Sequence, residues 1–584
     1  MKFLLAAVSS KYVHWNLAVH SLQAYVQAAG VCSEVETAEY TINQNREDIL
    51  ADLYRRKPDA VGFSCYIWNI CLIEALARDF HTLRPEADIW LGGPEASGGA
   101  RDWMERLPFL RGIMVGEGEE TFLRLMRHYD GTSSAGLAGV SGILWRENGC
   151  IRENPPTPAL SLSRLSFPFD ASVPAHKIVY YESSRGCPFS CSYCLSSVDK
   201  KLRFRDPELV ERDLSFFLEQ KVRQVKFVDR TFNCSHSHSR RIWRYLAERD
   251  NGVTNFHFEI AGDLLEEEDL EILGGLRPGL VQLEIGVQSA NPDALRAVRR
   301  TTDIERLERN VRRLAAGANI HIHLDLIAGL PCEDYRSFGR SFDRVYALRP
   351  EKLQLGFLKV LKASPLYGQA KAYGIHYSAQ PPYEVLWTPF LSYEELCRLK
   401  QIEKVLDIYY NSNQFVHVME KLLSFYGSPF ALYERLAEYF AENGLFDRQT
   451  GRPERFSILW DFICREKKNR EFLGVVWQEI LVYDYFLREN AKVRPAFAPD
   501  MAPFWPSITE WYAKHGIRRP EFRSYADRGY RQLLHMTHAE VFHRGFSQNG
   551  QKILMLFDYE KRNPLTGNAA AWEGEEWTKE NGSI

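Results

Sequence analysis

The sequence predicts an α/β protein in three parts. These are an N-terminal doubly wound parallel sheet over residues 1–130, a central partial (β/α)6 barrel over 176–372, and a mostly α-helical C-terminal domain over 385–584. Three observations predict this. Short apolar runs alternate with helical spacing through the first 130 residues. Six further strand-like runs begin between Lys177 and Lys352. Long, aromatic-rich helical patterns take over after 385.

In the first part the apolar runs are Phe3–Ala7, Ser33–Thr37, Ala60–Cys65, Asp88–Leu91 and Gly112–Val115. Between them lie Trp15–Ala29, Glu47–Arg56, Trp68–Leu83 and Glu119–His128, with apolar residues at helical spacing. Such alternation builds a parallel sheet that binds ligands beyond the carboxyl ends of its strands. Residues 131–175 are rich in Gly, Ser and Pro, and Asn154-Pro155-Pro156-Thr157-Pro158 is stiff and extended. They predict a linker holding one small hairpin near Gly142–Arg152.

The barrel strands begin near Lys177, Arg223, Asn255, Leu280, His321 and Lys352, each interval long enough for a strand, a helix and two loops. Beyond 385 the helical patterns are Tyr393–Ile408, Asn413–Tyr426, Phe430–Asn443 and Ile458–Phe486, with a short strand at Ile553–Phe557. No residue there carries recognisable chemistry.

Composition narrows the function. Of 584 residues, 45% are apolar and 26% charged, the profile of a globular chain, and ~150 residues per domain gives about four units, or equally three. The net charge of −3 advertises neither nucleic acid nor an acidic membrane surface. No apolar run approaches the ~20 residues of a membrane span, and the N-terminal Phe3–Val8 run reads as a buried first strand rather than a signal segment. Eleven cysteines are too sparse for a secreted disulfide framework, so a reducing cytoplasm is expected.

Three of those cysteines cluster in Arg185-Gly186-Cys187-Pro188-Phe189-Ser190-Cys191-Ser192-Tyr193-Cys194, a loop directly after the first barrel strand. One short loop can wrap a compact iron–sulfur cluster, and three thiolates on four irons leave one iron open to another ligand. A zinc ribbon needs a second C-x2-C pair, which this chain lacks. A three-cysteine zinc site completed by His176 or His236, or three unrelated buried cysteines, are the competing readings.

This C-x3-C-x2-C loop, with an aromatic before its last cysteine and Arg-Gly before its first, resembles the radical S-adenosylmethionine (SAM) superfamily over roughly 175–370. The resemblance implies a [4Fe-4S] cluster on Cys187, Cys191 and Cys194. It also implies SAM on the open iron, cleaved by a cluster electron to methionine and a 5′-deoxyadenosyl radical. It places Tyr193, Asp229, Glu259, Glu284, Gln288 and Arg300 toward SAM, since barrel sites lie at the carboxyl ends of strands. Asp229 is otherwise a cap of the next helix, and Arg300 an exposed surface arginine. Alternation along His321–Asp325 puts His321, His323 and Asp325 on one face, where His323 and Asp325 line the substrate cavity or bond one another. His236 and His238 read as a solvated helix start.

The first part resembles the cobalamin (vitamin B12)-binding domain of one large radical SAM subclass. The stretches that carry this are Val61–Cys65 with Ser64, Leu91-Gly92-Gly93-Pro94-Glu95, and Val115–Glu120 with Glu117. Glycines at strand ends let a flat corrin or its tail approach the backbone. Many such domains carry an Asp-x-His-x-x-Gly motif whose His ligates cobalt. Here His14 lies in that loop with other neighbours, a candidate cobalt ligand or a structural or substrate-facing residue.

The subclass implies methyl transfer to an unactivated carbon or phosphorus, or a radical ring closure like that of the anaerobic magnesium-porphyrin cyclase. The substrate would be a small molecule or peptide, the electron donor a flavodoxin or ferredoxin type, and the compartment an anaerobic cytoplasm. A radical SAM enzyme without working cobalamin, a tRNA methylthiotransferase-like protein, and a non-catalytic redox or cobalamin sensor are the alternatives. The corrin is expected between the carboxyl ends of the N-terminal strands and the barrel mouth.

Overall fold

The computed structural model describes residues 1–170, 173, 176–466, 474–516, 519–525, 527–543, 546 and 551–581. The chain forms two compact units, Met1–Ser337 with Gly356–Tyr393, and Phe338–Leu355 with Glu394–Ile584. Among the described residues no helix is long and apolar enough to cross a membrane.

The first unit opens with β1 (Lys2–Ser9), β2 (Glu34–Thr41), β3 (Ala60–Ser64), β4 (Asp88–Gly92) and β5 (Gly112–Met114), all parallel. The hairpin of β6 (Ile143–Glu147) and β7 (Cys150–Glu153) joins this sheet antiparallel beside β5, giving the order β2-β1-β3-β4-β5-β6-β7. A hairpin expected in a linker is thus an edge of the sheet. β1 is apolar from Phe3 to Val8 because helices cover both faces. Leu4, Ala6 and Val8 enter one core layer, and Phe3, Leu5 and Ala7 the other.

Six strands then follow one another in chain order across a second sheet: Val179–Tyr181, Gln224–Phe227, Asn255–Ile260, Val281–Gln288, His321–Ala328 and Lys352–Phe357. Pairing is parallel from the first to the fifth. Its register sets Lys226 opposite both Tyr180 and His257, and Glu284 opposite both Glu259 and His323. The N-terminal part adds to the outer edge of this sheet. Ile178 N donates to Val13 O at 2.7 Å and Trp15 N to Ile178 O at 3.2 Å.

In the second unit, helices span Val416–Leu423, Pro429–Glu442, Arg452–Glu466 and Gly474–Arg488. The last two divide the expected Ile458–Phe486 pattern, whose residues 467–473 lie outside the described residues. The expected strand at Ile553–Phe557 is the start of Ile553–Arg562, the centre of an antiparallel sheet with Thr537–Phe542 and Ala569–Glu573. Thr537–Phe542 follows directly on a helix, which hides its start, and Ala569–Glu573 is alanine-rich and lacks the β-branched signal of a strand.

Candidate active site

The cysteine loop leaves the first barrel strand through Gly186, whose φ of +92° only glycine adopts readily and where a Cβ would lie 2.4 Å from Lys201 O. Cys187 and Cys191 are buried and Cys194 half-buried. All three line a cavity of about 240 Å³. The far wall is supplied by strand ends: Glu259 from the third strand, Glu284, Gly286 and Gln288 from the fourth, Asp325 from the fifth, with Tyr193 and Arg300 beside the cysteines.

Arg300 donates to Gly286 O, and its Nη1 lies 3.4 Å from Tyr193 Oη and 3.7 Å from Cys191 Sγ. Burial raises the Tyr193 phenol, so it stays protonated. Arg300 is therefore a wall of the site and not an exposed surface arginine. Gln288 takes a φ of +72° after a register shift at Gly286, which turns its side chain out of the ladder. Gln288 Oε1 and Arg300 Nε are buried with no hydrogen-bond partner among the described residues. Orphaned acceptors and donors on a cavity wall call for a polar ligand.

Below this wall lies an ionic floor. Lys226 Nζ sits 3.0 Å from Glu284 and 3.3 Å from Glu259. His257 Nε2 lies 2.9 Å from Glu284, and His323 Nε2 lies 3.0 Å from Asp325. Burial opposes ionisation of Glu284, but the His257 hydrogen bond and the Lys226 charge hold its carboxyl well below the usual range. Burial instead raises Glu259. The structure so joins His323 and Asp325 to each other and brings Asp325 alone onto the cavity.

The expectation for Asp229 is corrected. Asp229 is fully buried behind the loop, where it accepts from Ser183 N at 3.0 Å, Ser183 Oγ at 2.6 Å and Ser184 Oγ at 2.5 Å. It braces the strand before the cysteines and neither meets the cavity nor caps a helix. Burial pushes it up to about 6. His238 is likewise no solvated helix start. It packs on Ser183 Oγ at 2.9 Å, and burial pushes its imidazole down to about 4.

Two further cavities adjoin. One of about 600 Å³ is lined by Tyr66 and Trp68 after β3, by Pro94 and Glu95 after β4, and from the barrel by Glu182 and Arg185. One of about 410 Å³ is lined by Ser9, Ser10, His14, Trp68, Tyr180 and Arg185. Tyr66 and Trp68 stack at 4.4 Å, and Trp68 is 46% exposed. His14 Nδ1 bonds Tyr180 Oη at 2.6 Å, and burial with Lys11, Lys226 and Lys177 keeps the ring neutral by lowering its pKa.

The other residues expected at cobalamin are held by neighbours within the protein. Gly93, at φ +101°, lies so close to Cys65 that a Cβ would meet its carbonyl at 2.6 Å. Gly92 packs on Met114, and Ser64 bonds Tyr66. Glu117 pairs with Arg203 and, at 3.2 Å, with Arg185. None of the four lines the three cavities, so these residues shape the strand ends and the domain junction. Sequence reasoning missed Lys226, His257, Tyr66, Trp68 and Arg230. Only the Tyr66-x-Trp68 pair, an aromatic doublet directly after a strand, offered a signal.

The comparisons agree with this geometry. The model of the B12 binding domain matches residues 4–126, that of the radical SAM superfamily residues 181–345, and that of the protein of unknown function (DUF4080) residues 371–557. The 2-(S-pantetheinyl)-carbapenam-3-carboxylate methyltransferase of Streptantibioticus cattleyicolor is 27% identical over 306 residues, 48% of this chain and 44% of that one. The anaerobic magnesium-protoporphyrin IX monomethyl ester cyclase of Rubrivivax gelatinosus is 24% identical over 318 residues, 50% of this chain and 55% of that one. The chain thus spans about half the length of these curated relatives. The cobalamin-dependent SAM radical enzyme OxsB, solved with aqua-cobalamin bound, shares the fold at a TM-score of 0.58 and 16% identity, over 83% of this chain and 79% of that one.

Fold and cysteine loop together define a radical SAM protein. More particularly, the chain carries a radical SAM domain, an N-terminal B12 binding domain and a C-terminal domain of unknown function. The cofactors of those domains are a [4Fe-4S] cluster with SAM, and cobalamin. The residues fit them: three thiolates on one cavity, two orphaned polar atoms on its wall, and a flat aromatic pair facing the adjoining space.

Proposed function

We propose that this chain is a cobalamin-dependent radical SAM enzyme that transfers a methyl group to an unactivated carbon of a small molecule or peptide. One observation carries the reading. The cysteine cavity opens past Tyr193, Cys194, Ser196 and Arg230 into the cavity faced by the carboxyl ends of β3 and β4, since both cavities share these four residues. When bound, the cluster and SAM supply a 5′-deoxyadenosyl radical and cobalamin relays a methyl group.

The chain's own residues do the positioning. Arg300 Nε and Gln288 Oε1 are the groups to hold the carboxylate and polar atoms of SAM. Ionised Glu284 and the Lys226 ammonium keep the floor polar but internally neutralised, so no water chain is needed there. Tyr66 and Trp68 present an apolar face that excludes water from a reactive intermediate. His14, with Nδ1 held by Tyr180, has its ring orientation fixed toward the third cavity and is the candidate lower ligand of cobalt. The exposed open iron calls for an oxygen-free cytoplasm and a flavodoxin- or ferredoxin-type donor.

Radical ring closure is the second reading, favoured by the similarity to the Rubrivivax cyclase. Product counting separates the two. Protein reconstituted anaerobically with iron, sulfide and hydroxocobalamin is incubated with SAM, dithionite and a deproteinised cell extract that supplies the acceptor, and products are counted above those formed without extract. Methyl transfer gives S-adenosylhomocysteine and 5′-deoxyadenosine in equal amounts. Ring closure gives 5′-deoxyadenosine and methionine alone, and the absence of any SAM cleavage overturns both.

A further inference from the structure

Arg230 lies three residues past the second barrel strand, and it lines all three cavities: the cysteine cavity, the cavity facing β3 and β4, and the cavity around His14. No other residue does so. Its side chain is exposed into this space, and its guanidinium makes no hydrogen bond or ion pair among the described residues.

The carboxylates around it are already engaged. Glu119 and Glu182 are held by Arg185 at 2.5 and 2.8 Å. Glu259 and Glu284 are held by Lys226. Asp199 is held by Arg203 at 2.9 Å, Asp325 by His323, and Glu95 by the Tyr383 hydroxyl. A second cation on the middle cavity, Lys362, lies over the rings of Tyr383 and Trp103, at 5.6 and 6.0 Å, and its charge acts on Glu95. Arg230 is thus left without a hydrogen-bonded carboxylate among the described residues at the point where the cavities meet, its charge acting on Glu259 from a distance. A guanidinium that is unpaired in a concave, partly desolvated site is a fork for a carboxylate or phosphate, since its planar donors match two acceptor oxygens at once.

We propose that Arg230 is the substrate-recognition residue and that the substrate carries an anionic group, a carboxylate or a phosphate, held where the three cavities join. This rests on the reading of the barrel as a radical SAM site, which puts the radical in the first cavity and the corrin in its neighbours. An anion on Arg230 anchors the substrate between them. Arg300 serves SAM, and Arg230 serves the molecule that is changed.

Because the substrate is unidentified, small fluorinated probes replace it. Holoprotein with cluster and cobalamin loaded is titrated with 4-fluorobenzoate, 4-fluorophenyl phosphate and neutral 4-fluorobenzamide, followed by fluorine NMR. At least one anion is expected to bind the native protein more tightly than the amide. Arg230→Gln is expected to weaken that anion about tenfold, the loss of one charge-assisted contact, with Arg230→Lys in between and the amide unchanged. The stronger of the two anions tells carboxylate from phosphate. If no anion binds better than the amide, or if Arg230→Gln binds the anions as tightly as the native protein, the proposal is overturned. Cluster absorbance and bound cobalamin are read in the same samples. Their absence from native protein would instead condemn the cofactor reading.

Discussion

The Arg185 guanidinium lies 2.5 Å from a Glu119 carboxylate oxygen, which ties the residue two places before the first loop cysteine to the helix Gly118–Tyr129 of the N-terminal part. Glu117 and Glu182 complete the same cluster at 3.2 and 2.8 Å. Removing the cation leaves three carboxylates facing one another in a confined space. Arg185→Ala is expected to cost ~3 kcal/mol and to release iron on gel filtration. Glu119→Gln, which keeps an acceptor, should cost clearly less. Equal melting temperatures for Arg185→Ala and native protein would refute the clamp.

Cys187, Cys191 and Cys194 share one cavity, so any one changed to Ala should remove the broad absorbance near ~400 nm of a four-iron cluster and all 5′-deoxyadenosine formation. Near-full iron in the triple variant would reject the assignment.

Asp229 gives a pH signature. Burial moves its carboxyl from 3.8 up to about 6. An acid whose folded pKa is raised keeps its proton more firmly when folded. Its contribution thus favours folding at low pH and is lost as pH rises from about 4 to about 6, by about 3 kcal/mol at ~1.4 kcal/mol per unit. Asp229→Asn cannot ionise, so its stability relative to native protein should climb across that window. Melting curves at about pH 4 and pH 7 measure this, and a pH-independent difference between the two proteins would rule it out.

Gly93 and Gly92 are expected to part company. A methyl at Gly93 meets the Cys65 carbonyl at 2.6 Å from a left-handed backbone, whereas one at Gly92 meets only Met114 Cε at 3.5 Å. Gly93→Ala should destabilise by ~3 kcal/mol and Gly92→Ala by under ~1 kcal/mol. Thermal unfolding decides this before any cobalamin assay is interpreted.

Trp68 is nearly half exposed and stacked on Tyr66, an arrangement that a flat ligand would complete. Trp68→Ala should weaken hydroxocobalamin binding about tenfold by equilibrium dialysis, with the fold unchanged. Undiminished affinity would move the corrin away from this wall.

The features legible in the sequence are those whose information is local. The cysteine loop needs only its own spacing, and β1 only its run of apolar residues. The alternation of strands and helices likewise shows through to Ala328. What stayed hidden depends on distant partners. Asp229 follows a strand end as a ligand-binding carboxylate would, and only Ser183 and Ser184, 46 and 45 residues earlier, reveal that it faces inward. Lys226 carries no signal of its own, and only sheet register, which sets it against Tyr180 and His257, and a pair of glutamates closing on it give it a place. Glu117 stands in a strand-to-helix turn typical of a ligand contact, yet Arg203, far along the chain, claims it.

The three residues Val13–Trp15, laid along Ile178, have a bearing on how this architecture can be taken apart. The first barrel strand would otherwise end the second sheet with its backbone donors and acceptors open to any passing chain. The N-terminal part pairs its own main chain with that border at Ile178. A barrel deprived of its first 130 residues therefore exposes a sticky margin and tends to stack on its own kind. Inheritance of the two parts as a pair is in this sense enforced by solubility as much as by catalysis, and the N-terminal part would be retained even in a descendant that had stopped using its ligand.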